Sequence, residues 1–176
     1  MIKSIVFATL GVLLTTMAHA KNHALLVGVG QYKGQPLEGP VFDVAAIDSV
    51  LKSKWGFSDD SVVTLLDESA TKNGILAAID ALYARTAEGD NVFLYLSGHG
   101  TSRSDVRLGT PLPTTSGAFI PYGVAGFDSP EELMKRLVVG RSDLRPRFKQ
   151  FDDNGRHLFV AIDACYSGNT VRGINK

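Results

Sequence analysis

Asn91-Val92-Phe93-Leu94-Tyr95-Leu96-Ser97-Gly98-His99-Gly100 is an unbroken apolar run of strand length that ends in Ser-Gly-His-Gly. His157-Leu158-Phe159-Val160-Ala161-Ile162-Asp163-Ala164-Cys165-Tyr166-Ser167-Gly168 repeats the plan, an apolar run followed by small and polar residues. Runs that are apolar at every position, not at alternate ones, fit strands buried on both faces, the habit of parallel sheets. Ala24 to Val29 (ALLVGV) is a third such run. Ser61 to Leu66 (SVVTLL) is a shorter, β-branched one.

Helical patterns fill the gaps. Pro40 to Trp55 has proline in its first turn and Val44, Ile47, Leu51 and Trp55 at helical spacing. Thr71 can cap a helix from Lys72 to Arg85, whose apolar face is Ile75, Leu76, Ile79, Leu82 and Tyr83. Ser129-Pro130-Glu131-Glu132 is a capping box that opens a short helix through Val139. Ser142 to Phe151 forms a further helix, with Pro146 obscuring its start. Gly30 to Gly39 reads as a loop, and Gly100 to Ala118, rich in Gly, Pro, Ser and Thr, as a long mobile one. Strands alternating with helices predict an α/β fold around a mostly parallel sheet. Four strands make a thin sheet, and no helix follows the last of them, so further C-terminal strands are expected to be missing from the chain.

The 176 residues carry 18 Lys+Arg and 18 Asp+Glu, and 44% are hydrophobic. That is globular composition of one-domain length, with no electrostatic ground for a nucleic-acid partner. Residues 1–20 (MIKSIVFATLGVLLTTMAHA) have the charged start, short apolar core and Ala18-His19-Ala20 ending of a signal peptide. The expected mature domain is therefore 21–176, exported to a periplasmic or extracellular compartment. The apolar core is too short to span a bilayer, so no stable membrane insertion is expected after cleavage. Cys165 is the only cysteine, which excludes an intrachain disulfide and a Cys-rich zinc module. An unpaired thiol in an exported chain reads as a reactive one.

In parallel α/β sheets, ligands sit beyond the carboxyl ends of the strands. Cys165 and His99 both fall just past such ends. With their strands adjacent, thiol and imidazole would point into one crevice and suit nucleophilic catalysis, since a thiol of ordinary pKa ~8.5 needs a base to become a thiolate. The backbone N–H groups of Gly100 and Cys165 are candidate oxyanion donors, a role worth roughly 2.7–4 kcal/mol per donor. The competing reading of Cys165 is a small buried hydrophobe, but its flanks Asp163, Tyr166, Ser167 and Gly168 favour a strand exit. His23 and His157 stand at strand starts, the wrong end, and read as structural. Gly28-x-Gly30 with Gly34 is a poor dinucleotide fingerprint, because Pro36 and Gly39 keep a helix from starting at the phosphate position.

Taken together, Ala24 to Val29, Leu37-Glu38-Gly39-Pro40-Val41-Phe42-Asp43, Ser97-Gly98-His99-Gly100 and Asp163-Ala164-Cys165-Tyr166-Ser167-Gly168 resemble the caspase-like cysteine peptidases, in particular their metacaspase and bacterial orthocaspase branch. The resemblance runs from Asn22 to Gly168. It implies a three-layer caspase-like sandwich, of which this chain holds the N-terminal, large-subunit-like portion. It implies a cysteine endopeptidase with a Cys/His dyad: Cys165 as nucleophile, His99 as general base and acid. Asp43, Ser97 and Asp163 would form the substrate pocket, and two carboxylates there give a physical reason to cleave after Arg or Lys. Outside that reading, Asp43 is a helix N-terminal residue and Asp163 a turn residue. Protein or peptide substrates with basic residues are the implied partners, and Arg103 and Arg107 candidate self-cleavage sites. The acidic clusters behind the calcium dependence frequent in the family are not evident, so no metal or other cofactor is assigned. The alternative is a caspase-fold binding module without catalysis, or a non-functional truncated fragment.

Overall fold

In the computed structural model, residues 19–105, 109, 111–124 and 129–166 are described. Residues 1–18, most of the expected signal peptide, lie outside them, as do Arg107, Ser167 and Gly168. The apolar runs become parallel strands: β1 (Asn22–Gly28), β2 (Val62–Leu66) and β3 (Asn91–Ser97). The last run pairs onto β3, and the order across the sheet is second, first, third, last. Residue by residue, Gly28 stands beside Ser97, and Ser97 beside Asp163, so these strands end level with one another.

Successive side chains alternate between two buried faces, which is why the runs carry no polar break. Ala24, Leu26, Phe93 and Tyr95 face α1 (Gly39–Lys54), through Val44 and Leu51. Leu25, Val27, Val92, Leu94 and Leu96 face the opposite side and pack on Ile75, Ile79 and Leu82 of α2 (Lys72–Arg85). Each such aliphatic side chain contributes about 1.5–3 kcal/mol by leaving water. The result is the expected α/β fold in three layers. The Thr71 cap is present: its Oγ1 accepts from Gly74 N at 3.1 Å.

Residues 100–139 depart from expectation. The segment read as a long mobile loop holds β4 (Gly100–Ser102) and β5 (Gly117–Phe119), which pair antiparallel. The helix expected through Val139 is α3 (Pro130–Arg136), and it stops earlier because Val138 and Val139 form β6 (Val138–Val139) against Phe119 and Ala118. Ser129 caps α3 as read, its hydroxyl accepting from Glu132 N. Strands of two or three residues are too short for a period-2 pattern to show, and their hydrogen bonds come from partners distant in sequence. This second sheet closes a small core of Leu112, Ala118, Leu133, Leu137 and Val139. A π-type turn (Gly140–Leu144) leads to α4 (Arg145–Asp153), not the expected Ser142–Phe151; Pro146 sits in its first turn, where its missing N–H costs nothing. Phe148 and Phe151 of α4 join the α2-side core, and β7 (His157–Asp163) is the last strand among the described residues. Among the described residues, no helix is long and apolar enough to cross a membrane.

Candidate active site

The level strand ends decide which polar residues meet. Ser97 and Asp163 are register partners on adjacent strands. Gly98 N donates to Asp163 O at 3.1 Å, carrying the ladder one residue past β3. His99 and Cys165 each lie two positions beyond that pair, at the same rim of the sheet. Gly100 then packs directly on the Cys165 carbonyl and the Ala164 side chain, so closely that a Cβ at Gly100 would overlap the Cys165 oxygen. A residue without a side chain is required where these two loops touch. Cys165 is an exposed free thiol. Tyr166 beside it has φ of 61°, a left-handed backbone that a bulky residue adopts only where its surroundings impose it.

His99 is held on every side. Its amide N–H donates to Tyr32 Oη at 2.9 Å, its carbonyl accepts from Ile120 N at 2.9 Å, and its Nε2 lies 2.9 Å from Gln35 O. A carbonyl only accepts, so Nε2 carries the hydrogen and Nδ1 is left as the acceptor of the neutral ring. The bond from Ile120 N to His99 O also makes Gly100 and Phe119 a pair whose own amides point away from each other. The Gly100 N–H is therefore directed off the second sheet and not spent on its ladder.

The three residues expected to line a pocket gather around Tyr95, on the α1 face of β3. Ser97 is buried, Asp163 exposed and Asp43 intermediate. Burial pushes the Tyr95 phenol above its ordinary pKa; a hydrogen bond with Ser97 acts the other way, and the charges of Asp163 and Asp43 add to the rise. Both carboxylates thus act on one buried hydroxyl. His23 and His157 sit at the opposite end of their strands, as expected. Tyr32 and Gln35, in the loop after β1, were not singled out by the sequence. The signal for them is the loop's position, beyond the carboxyl end of a central strand.

Residues 22–118 match the metacaspase, peptidase C14 domain. The chain belongs to the metacaspase family. The matched stretch includes Asp43, Ser97 and His99 and stops short of Cys165. Metacaspase-1B of Aspergillus fumigatus is 30% identical over 161 residues, covering 86% of this chain and 36% of that protein. Metacaspase-3 of Arabidopsis thaliana is 29% identical over 161 residues, covering 86% of this chain and 41% of that protein. A crystal structure of a Geobacter sulfurreducens protein superposes with TM-score 0.58 at 19% identity, over 82% of this chain and 50% of the other, a likeness of fold. This metacaspase chain thus spans well under half the length of these curated relatives.

Proposed function

We propose that the chain carries the dyad and primary pocket of a cysteine endopeptidase that cleaves after Arg or Lys. The observation supporting this most directly is the in-register Ser97–Asp163 pair, with His99 and Cys165 each two positions beyond it on neighbouring parallel strands. In the proposed reaction His99 Nδ1 takes the proton of the Cys165 thiol, and Sγ attacks the carbonyl carbon of the scissile peptide bond. The oxyanion that forms lies against the N–H groups of Gly100 and Cys165. The imidazolium, its Nε2–H held by Gln35 O, returns the proton to the leaving amine as the C–N bond breaks. Water, deprotonated by the same Nδ1, then hydrolyses the thioester. The substrate's guanidinium or ammonium enters beside Asp43, Ser97 and Asp163, where a charge-assisted hydrogen bond replaces its lost water.

The experiment is turnover of reporter peptides ending in Arg, Lys or Asp by chain 21–176. Cleavage of the basic peptides, abolished in Cys165→Ala and in His99→Ala with circular dichroism unchanged, is the expected result. A folded chain with no turnover would leave a binding module. The same reading makes residues 1–20 an export leader and 21–176 the mature domain, and sequencing of the exported protein should then begin at Lys21. Self-cleavage after Arg103, exposed in the turn following β4, belongs to it too; Arg107 lies outside the described residues.

A further inference from the structure

The loop between β1 and α1 is built around a single side chain. Gly30 N and Gln31 N both donate to Asp67 Oδ1 at 2.8 Å, which fixes the loop's start. Gly30 O in turn accepts from Tyr32 N and from Leu37 N, each at 2.9 Å, and pinches the loop shut. Tyr32 projects from it onto the segment that carries His99. Its Oη accepts from the His99 amide at 2.9 Å and donates to Ile120 O at 2.8 Å. Its ring lies against the imidazole, with centroids 4.5 Å apart and planes tilted by 50°. Gly98 leaves room for this: a Cβ there would stand 2.5 Å from Tyr32 Oη.

We propose that Tyr32 is a positioning residue for His99, one phenol fixing both the backbone and the ring face of the imidazole so that Nε2 meets Gln35 O and Nδ1 is presented at the rim. The inference rests on the Cys165/His99 reading above. Three features favour it over a purely structural tyrosine. The hydroxyl satisfies the amide of the very residue whose ring it flanks. It also spans to Ile120, whose own N–H holds the His99 carbonyl, so one group closes a ring of bonds around His99. Burial holds the phenol well above its ordinary pKa, so it stays a neutral donor and acceptor over the range in which an imidazole titrates.

The test uses two readouts, neither of which a merely structural residue would move. One is the pH dependence of Cys165 alkylation by iodoacetamide, which follows the thiolate paired with His99 and needs no peptide turnover. The other is the split of kcat from KM on an Arg reporter peptide. Tyr32→Phe keeps the ring and removes both hydroxyl bonds. It should lower kcat roughly tenfold with KM unchanged, and shift the alkylation midpoint toward that of a free thiol. Gly98→Ala, whose Cβ would overlap Oη and push it aside while leaving the tyrosine itself unchanged, should move both readouts in the same direction. Folded variants with wild-type kcat and an unmoved alkylation profile would overturn the role of Tyr32 while leaving the dyad standing. Wild-type alkylation indifferent to His99→Ala would overturn the dyad itself, and the inference with it.

Discussion

Ser97 is buried while its register partner Asp163 is exposed and Asp43 half-buried. That gradient shapes what each group can do. A buried hydroxyl fixes geometry; the carboxylates, open to water, are the groups that would supply attraction to a cationic side chain. Removing one charge without changing shape isolates that attraction. Asp163→Asn and Asp43→Asn should each lower kcat/KM for Arg and Lys reporters about 10- to 100-fold, the worth of one hydrogen bond to a charged group. The effect should appear in the specificity for basic peptides and leave the rate of Cys165 alkylation intact. Equal losses on basic and neutral peptides would remove the pocket assignment. His99 and Cys165 stood out in the sequence because each follows an apolar run at a strand's carboxyl end, whereas Asp43, Ser97 and Asp163 came only from the resemblance to caspase-like peptidases. Tyr32 and Gln35 came from neither. One acts through a backbone carbonyl and the other through a phenol 67 positions from its target, and neither leaves a local pattern.

At the scale of elements, the second residue of β1 is a half-buried histidine. Both ring nitrogens of His23 lack hydrogen-bond partners, and Nε2 stands 3.5 Å from Asp90 Oδ2. Burial, then the charges of Arg85 and Lys21, depress its pKa below 6.5, against the opposing pull of Asp90. A histidine depressed in the folded state binds its proton more readily when unfolded. The contribution of its neutral form is complete above about pH 6.5 and is lost as pH falls from there toward the folded pKa. Thermal melts should therefore show Tm falling as pH drops through and below 6.5, and His23→Gln should flatten that slope. A slope unchanged in His23→Gln would assign it to other groups. The long elements were readable to within about a residue or two: β3, α2 and β7 follow from continuous apolar runs and a capping Thr71. The short ones were not. β4, β5 and β6 exist because antiparallel partners supply their hydrogen bonds, and nothing in two or three residues announces that.

Among the described residues, two helices, α2 and α4, cover one face of the sheet and α1 covers the other. Phe159 on β7 is 62% exposed and stacks on Phe93 with centroids 5.5 Å apart; Trp55, 58% exposed, meets Phe93 edge-on. These rings border a groove of about 620 Å³ beside the last strand of the sheet. An apolar face next to a strand edge that has no partner among the described residues favours self-association. Light scattering of the 176-residue chain should show assembly that grows with concentration, and Phe159→Lys should reduce it without lowering Tm, since that side chain is mostly in water already. Assembly insensitive to Phe159→Lys would place the sticky surface elsewhere.

Composition and local pattern determined much of this protein. Burial on both faces demands continuous apolar strands, parallel strands demand helical crossovers, and the polar residues at their carboxyl ends mark where chemistry can occur. Only the tertiary structure decided which strand ends are neighbours and level, that a phenol and a backbone carbonyl from another loop hold His99, and that Gly100 must be bare against Cys165. Periodicity is a property of adjacent residues and is written along the chain. Register, close approach and the satisfaction of a buried donor are relations between distant residues, and they come into being only when the chain has packed.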